Sequence, residues 1–71
     1  MKTTDMFEEE FDVQVNQINS REYEILARIT KDEAKAVASE FIEHDIGFYT
    51  EDDSDAIYIT VDSFEKYLNR F

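Results

Sequence analysis

The chain has no cysteine, no proline, no tryptophan, one glycine and one histidine, and sets only 7 basic residues against 18 acidic ones. Each shortage excludes something. Without cysteine there are no disulfides and no thiolate metal sites, the usual staples of small secreted scaffolds, so a cytoplasmic setting is expected. A single histidine, His44, cannot make the usual zinc site. With no proline and one glycine there is little strained loop from which to build a catalytic centre. Nowhere do about 18 apolar residues run together, and the opening MKTTDMFEEEF lacks the apolar stretch of a secretory signal, so neither membrane insertion nor secretion is expected. A formal net charge of −11 and a pI near 4.2 oppose direct binding to nucleic acid or anionic lipid and steer the chain toward basic surfaces.

What is present is enough for a fold. Hydrophobic residues make up 42% of 71, with 14% aromatic, too many for a chain that stays disordered. One small acidic domain spanning 1–71 is expected, with 1–6 frayed; at this size only about 60% of the unfolded chain's surface is buried.

The segment from Thr30 to Gly47 is the most legible. Thr30 and Glu33 have capping-box spacing. Ala34, Val37, Ala38, Phe41, Ile42 and Ile46 recur with helical period, and Gly47 stands where a helix ends in a left-handed residue. Before it, Phe11, Val13 and Val15 alternate with Asp12, Gln14 and Asn16, as in a half-buried strand, while the acidic run Glu8 to Glu10 carries no assignable pattern. Asn19 and Ser20 are turn formers, and Tyr23, Ile25, Ala27 and Ile29 then alternate against Glu22, Glu24, Leu26 and Arg28. After Gly47 come a β-prone run, Phe48 to Glu51, and a turn-forming stretch, Asp52 to Asp55. Ile57, Ile59 and Val61 next alternate with Tyr58 and Thr60. Asp62 and Glu65 repeat the capping spacing ahead of Phe64, Tyr67, Leu68 and Phe71, an apolar stripe at i, i+3, i+4, i+7. The expected fold is α+β, in the order β-β-α-β-β-α: an antiparallel sheet of two hairpins with two helices on one face and the other face open.

No catalytic constellation emerges, and an enzyme is not expected. His44 borders the helix stripe as a boundary histidine near Glu40 and Asp45. Asp53-Ser54-Asp55 resembles the start of a calcium loop, but Ile57 and Tyr58 occupy the fifth and sixth positions, where a ligand and a glycine belong. Only loose calcium binding by Glu51, Asp52, Asp53 and Asp55 remains open. No metal or cofactor is assigned. The charge layout is more informative. From Ala36 to Glu65 nine acids and no lysine or arginine occur, whereas Arg21 to Lys35 holds four of each sign. Carboxylates at i, i+3 on a helix stand about 5–6 Å apart, a spacing suited to imitating a phosphate backbone.

Ile18-Asn19-Ser20, a strand, and then Ala34-Lys35 and Val37-Ala38-Ser39 resemble the opening of small phage-encoded anti-defence proteins, among them a type I anti-CRISPR inhibitor, in which a hairpin feeds a helix carrying this pattern. The resemblance implies a class, proteins that occlude nucleic-acid-binding surfaces, several families of which are acidic mimics, and a host cytoplasm if the gene is phage-borne. It assigns no binding residue.

The expectation is therefore a non-enzymatic acidic inhibitor or adaptor that binds a basic, nucleic-acid-binding protein. Glu40, Glu43, Asp45, Glu51, Asp52, Asp53 and Asp55 would supply the field and Tyr49 and Tyr58 the anchors. The alternative is a homodimeric or partner-binding module that uses the open sheet face around Leu26, Glu22 and Glu24, with acidity serving solubility.

Overall fold

A computed structural model describes residues 1–28 and 32–71. The chain runs α1 (Thr4–Phe11), β1 (Gln14–Gln17), β2 (Glu22–Arg28), α2 (Glu33–Glu43), β3 (Phe48–Asp52), β4 (Ala56–Asp62) and α3 (Phe64–Leu68). Its four strands form one antiparallel sheet in the order β1-β2-β4-β3. Two hairpins are thus joined through their longer strands, β2 and β4, paired from Glu22 opposite Asp62 to Arg28 opposite Ala56. Tyr23, Ile25, Ile59 and Val61 point to one face, where Phe7 of α1, Val37 and Phe41 of α2, and Phe64, Tyr67 and Leu68 of α3 cover them. The opposite face carries no helix among the described residues.

Among the described residues three helices, not two, cover the sheet. The segment taken from sequence as a frayed start and an unpatterned acidic run is α1. The Thr3 side chain accepts a hydrogen bond from the Met6 N–H (3.1 Å), which starts the helix. Glutamates 8 to 10 are good helix formers, with Glu9 and Glu10 exposed and Glu8 half-buried. Asp12, in a left-handed conformation at φ 55°, ends it. The alternation of Phe11, Val13 and Val15 hid this boundary. All three side chains are half-buried against the core, but Phe11 reaches it from a helix and Val15 from a strand. Nor is the start loose. The Lys2 N–H bonds the Leu68 carbonyl (2.9 Å), and its ammonium bonds Glu10 (2.8 Å) while lying 4.2 Å from the centre of the Phe71 ring.

Helix ends differ from their sequence signals. The Thr30–Glu33 box and Ile29 fall outside the described residues; α2 begins at Glu33 with Asp32 as its cap. At its other end the left-handed residue is Asp45 (φ 57°), not Gly47, whose φ is ordinary. The Asp45 N–H bonds the Ile42 carbonyl (3.2 Å) and the Ile46 N–H bonds that of Phe41 (2.8 Å), a Schellman motif whose apolar pair, Ile46 and Phe41, is buried. Aspartate tolerates this conformation better than most side chains, which frees Gly47 to lead straight into β3. Ile42 completes the stripe in sequence yet is 70% exposed, because the sheet covers only the Val37–Phe41 side. Likewise α3 is not capped by Asp62, which closes β4. Ser63 turns left-handed (φ 62°) and makes no side-chain cap, and Glu65 instead accepts the Tyr23 hydroxyl (2.8 Å).

The turn between β1 and β2 follows the residues that signalled it. Asn19 Oδ1 accepts the N–H groups of Arg21 and Glu22, both at 2.9 Å, so this side chain organises the reversal.

Two stability measurements check this account. Phe7→Ala empties the contact shared by all three helices and is expected to cost about 3–5 kcal/mol, close to the whole stability of a domain this small; its urea-unfolding midpoint should approach zero. Asp45→Ala should destabilise by about 1 kcal/mol. Gly47→Ala, where an added methyl group meets nothing within 4 Å, should stabilise by about 0.4–1 kcal/mol. The reverse order would mean that Gly47 is the helix-ending residue after all.

Candidate partner-binding surface

Strand register determines which exposed side chains share the uncovered face. Leu26 lies opposite Tyr58, and Tyr58 opposite Glu51. One step along, Glu24 lies opposite Thr60 and Thr60 opposite Tyr49; one step further, Glu22 lies opposite Asp62. Directly opposed side chains stand about 4.5–5.5 Å apart at Cβ. The face is therefore a continuous patch with Leu26, Tyr58 and Tyr49 in its middle and Glu22, Glu24, Glu51 and Asp62 around them. Leu26 and Tyr58 are half-buried, Thr60 is buried between neighbours, and Tyr49 is 58% exposed.

Acids set opposite each other repel. For Glu22 and Asp62 each carboxylate has its own donor: Asn19 Nδ2 reaches Glu22 at 3.0 Å, and Arg21 reaches Asp62 at 3.4 Å. The Arg21–Asp62 pair is solvent-exposed on both sides and contributes little to stability. Arg28, at the far end of β2, has the strand parity of this face.

The remaining acids scatter. Glu43 and Asp45 stand at the C-terminal end of α2, where the Asp62 N–H bonds the Gly47 carbonyl (3.4 Å). Asp52, Asp53 and Asp55 stand at the opposite end of the sheet, where Ala56 pairs with Arg28 and the Asp53 N–H closes the hairpin on the Ala56 carbonyl (2.8 Å). Asp52 also belongs to the helix-side parity of β3. No single row of carboxylates joins the two ends. Among the described residues, no group of three or more His, Asp or Glu side chains is placed to hold a metal ion.

Glu40 departs from the outward role expected of it. Its carboxylate accepts the Tyr67 hydroxyl at 2.5 Å and lies 3.5 Å from His44 Nε2, with most of its side chain covered. The His44 ring packs against Tyr67 and Phe71, and its carbonyl accepts a hydrogen bond from Arg70. This cluster ties the end of α2 to α3. Burial, and then the bond to Glu40, push the Tyr67 hydroxyl well above the ordinary tyrosine pKa; Tyr23 is raised in the same direction, first by its bond to Glu65 and then by burial.

Strand parity in the sequence groups Leu26, Tyr58 and Tyr49 with Glu22, Glu24, Asp12 and Gln14; Gln14 does lie opposite Leu26, but Asp12 ends α1 instead of joining the sheet, and Glu51 and Asp62 were missed. Parity along β3 and β4 would have assigned both once the β3–β4 register was known. Two hollows flank the face, one of about 340 Å³ at Asn19, Arg21, Glu22 and Asp62 and one of about 280 Å³ at Asp12, Val13, Gln14, Leu26 and Arg28. Neither is enclosed, as a small-molecule site would be.

No family model matches the chain, and no match is found among curated proteins or solved structures. No described helix is long and apolar enough to cross a membrane.

The raised tyrosines give a signed pH dependence. Below about pH 10 both hydroxyls are protonated in the folded and unfolded chains alike, and their stabilising bonds are intact. Above it the unfolded chain loses these protons while the folded chain retains them, so stability falls as pH rises. Urea midpoints measured from neutral pH to pH 11 should decline for the wild type and decline less for Tyr67→Phe; parallel curves would contradict the role given to the Tyr67–Glu40 bond.

Proposed function

We propose that this protein is a non-enzymatic binding module whose open sheet face docks on a basic protein surface, of the kind that otherwise holds nucleic acid. The observation that carries this reading is the register-defined patch in which Leu26, Tyr58 and Tyr49 are rimmed by Glu22, Glu24, Glu51 and Asp62. An apolar, tyrosine-containing centre inside a charged rim has the anatomy of a protein interface. The sign of the rim, within a chain of net charge −11, selects a basic partner and steers its approach. Glu43, Asp45, Asp52, Asp53 and Asp55 add to the long-range field from the two ends of the molecule, and Glu40 supports the fold.

Self-association through the same face is the weaker reading on physical grounds. A two-fold dimer sets a patch against itself, so the acidic rim formed by Glu22, Glu24, Glu51 and Asp62 would face an identical acidic rim. With −11 on each subunit, that repulsion opposes the apolar gain from Leu26 and the two tyrosines.

The test uses immobilised protein challenged with lysate, with each retained protein then competed against duplex DNA and RNA. Retention of basic nucleic-acid-binding proteins is expected, with release as ionic strength rises from about 0.1 M to about 1 M and the screening length falls from about 10 Å to 3 Å. Glu24→Lys combined with Glu51→Lys should abolish retention while leaving the unfolding midpoint nearly unchanged. The reading is overturned if that double variant retains the same proteins, or if nucleic acid does not displace them.

A further inference from the structure

The two edges of the sheet are finished differently. β1 is four residues long, and Glu8 of α1 places its carboxylate 2.7 Å from the Val15 N–H. Backbone groups alternate in direction along a strand. Because the Ile18 N–H bonds the Glu22 carbonyl, the Val15 N–H points away from β2, so Glu8 occupies a donor of the outer edge. A covered donor of this kind blocks pairing with another strand.

β3 has no such guard among the described residues. The bonds from the Asp53 N–H to the Ala56 carbonyl and from the Asp62 N–H to the Gly47 carbonyl orient the backbone groups of residues 47 and 53 toward β4. By alternation Tyr49 and Glu51 also face β4, leaving the N–H and carbonyl groups of Phe48, Thr50 and Asp52 directed outward. The segment from Tyr49 to Asp52 is exposed throughout. Its side chains divide by face, with Tyr49 and Glu51 on the open face and Thr50 and Asp52 on the helix side.

We propose that the outer edge of β3 accepts an extended basic segment of a partner protein as a fifth strand. Main-chain bonds to Phe48, Thr50 and Asp52 supply its alignment, as in other strand-addition complexes. Arginine or lysine at alternate positions of the added strand lies beside Glu51 and Tyr49, where a guanidinium pairs with the carboxylate and stacks on the ring. Asp52, Asp53 and Asp55 receive cations from the other side and from the end of the strand. The same carboxylates exclude a second copy. An antiparallel pairing of two β3 edges centred on Thr50 puts Phe48 of each copy opposite Asp52 of the other and crowds four acids along a short ladder, against −11 on each molecule. The edge thus admits a basic strand and rejects its own kind. This inference takes the partner's charge from the proposed function but places the main-chain contact on the β3 edge, which adjoins the open face at Tyr49 and Glu51.

The experiment measures amide hydrogen exchange, residue by residue, on labelled protein with and without a synthetic peptide that alternates arginine with valine and threonine. The Phe48, Thr50 and Asp52 amides should slow by about tenfold or more, with Tyr49 and Glu51 much less affected. Thr50→Pro removes one outward donor and no charge, at an edge position where proline is tolerated; it should cut peptide affinity about tenfold, the equivalent of one lost main-chain bond. A peptide of the same composition with its arginines contiguous should bind more weakly. Protection centred on Glu24, Leu26 and Tyr58 instead would overturn the edge while leaving the open face standing. Absence of peptide binding, or protection of the same edge amides by raised protein concentration alone, would overturn it in favour of no strand addition or of self-pairing. Should Thr50→Pro fail to fold, the exchange pattern of the wild type decides alone.

Discussion

Phe7 is where the three helices meet. Its ring centre lies 4.6 Å from that of Phe11, 5.1 Å from Phe64 and 5.9 Å from both Phe41 and Tyr67. Phe64 and Tyr67 stand nearly perpendicular to it, an arrangement that adds to simple area burial through the ring quadrupole. A short chain with a large uncompensated charge has little apolar material with which to oppose its own repulsion. Concentrating aromatic residues at one junction lets three helices, the last only five residues long, cover a four-stranded sheet. Removing α1 would uncover the rings on which α2 and α3 also rest.

The acids are not one population. Glu8 accepts the Val15 N–H, Glu40 the Tyr67 hydroxyl and Glu65 the Tyr23 hydroxyl, each joining two secondary-structure elements. Those three carboxylates are part of the architecture. Others, at both ends of the sheet and around its open face, project into solvent and set the field a partner would meet. A charge total read from composition merges these roles, although changes to the two groups act on different properties, the first on folding and the second on association.

β2, β4 and the Phe64, Tyr67 and Leu68 positions of the α3 stripe were legible because period and burial agree there, whereas Phe71 lies beyond the helix and is 46% exposed. Tyr23, Ile25, Ile59 and Val61 alternate in sequence and all face the helices. The first helix was not legible, because it buries Phe7 and only half-buries Phe11, too few positions to establish a period of 3.6 against the competing alternation from Phe11 to Val15. Helix ends were misread for a related reason. Thr, Asp and Gly near a boundary signal that a helix starts or stops but not which residue does it: Asp45 took the left-handed conformation expected of Gly47, and Ser63, not the expected cap Asp62, stands before α3. Of the candidate surface, Leu26, Tyr58, Glu22 and Glu24 follow from strand parity alone. The membership of Glu51 and Asp62, the withdrawal of Glu40 and the separation of Glu43 and Asp45 from Asp52, Asp53 and Asp55 depend on register and helix direction, which are tertiary properties.

The bond between the Lys2 N–H and the Leu68 carbonyl, with the Lys2 ammonium over Phe71, brings the two ends of the chain to one place in the helix layer. The sheet's bare surface lies on the far side of the molecule from that junction. Anything joined to either end, whether a fluorescent protein, a solid support or the loop of a carrier domain into which the sequence is spliced, would therefore hang from the back of the molecule and leave its front clear. The Leu26–Tyr58 face and the Lys2–Leu68 junction are thus held back to back by the sheet and the helix layer.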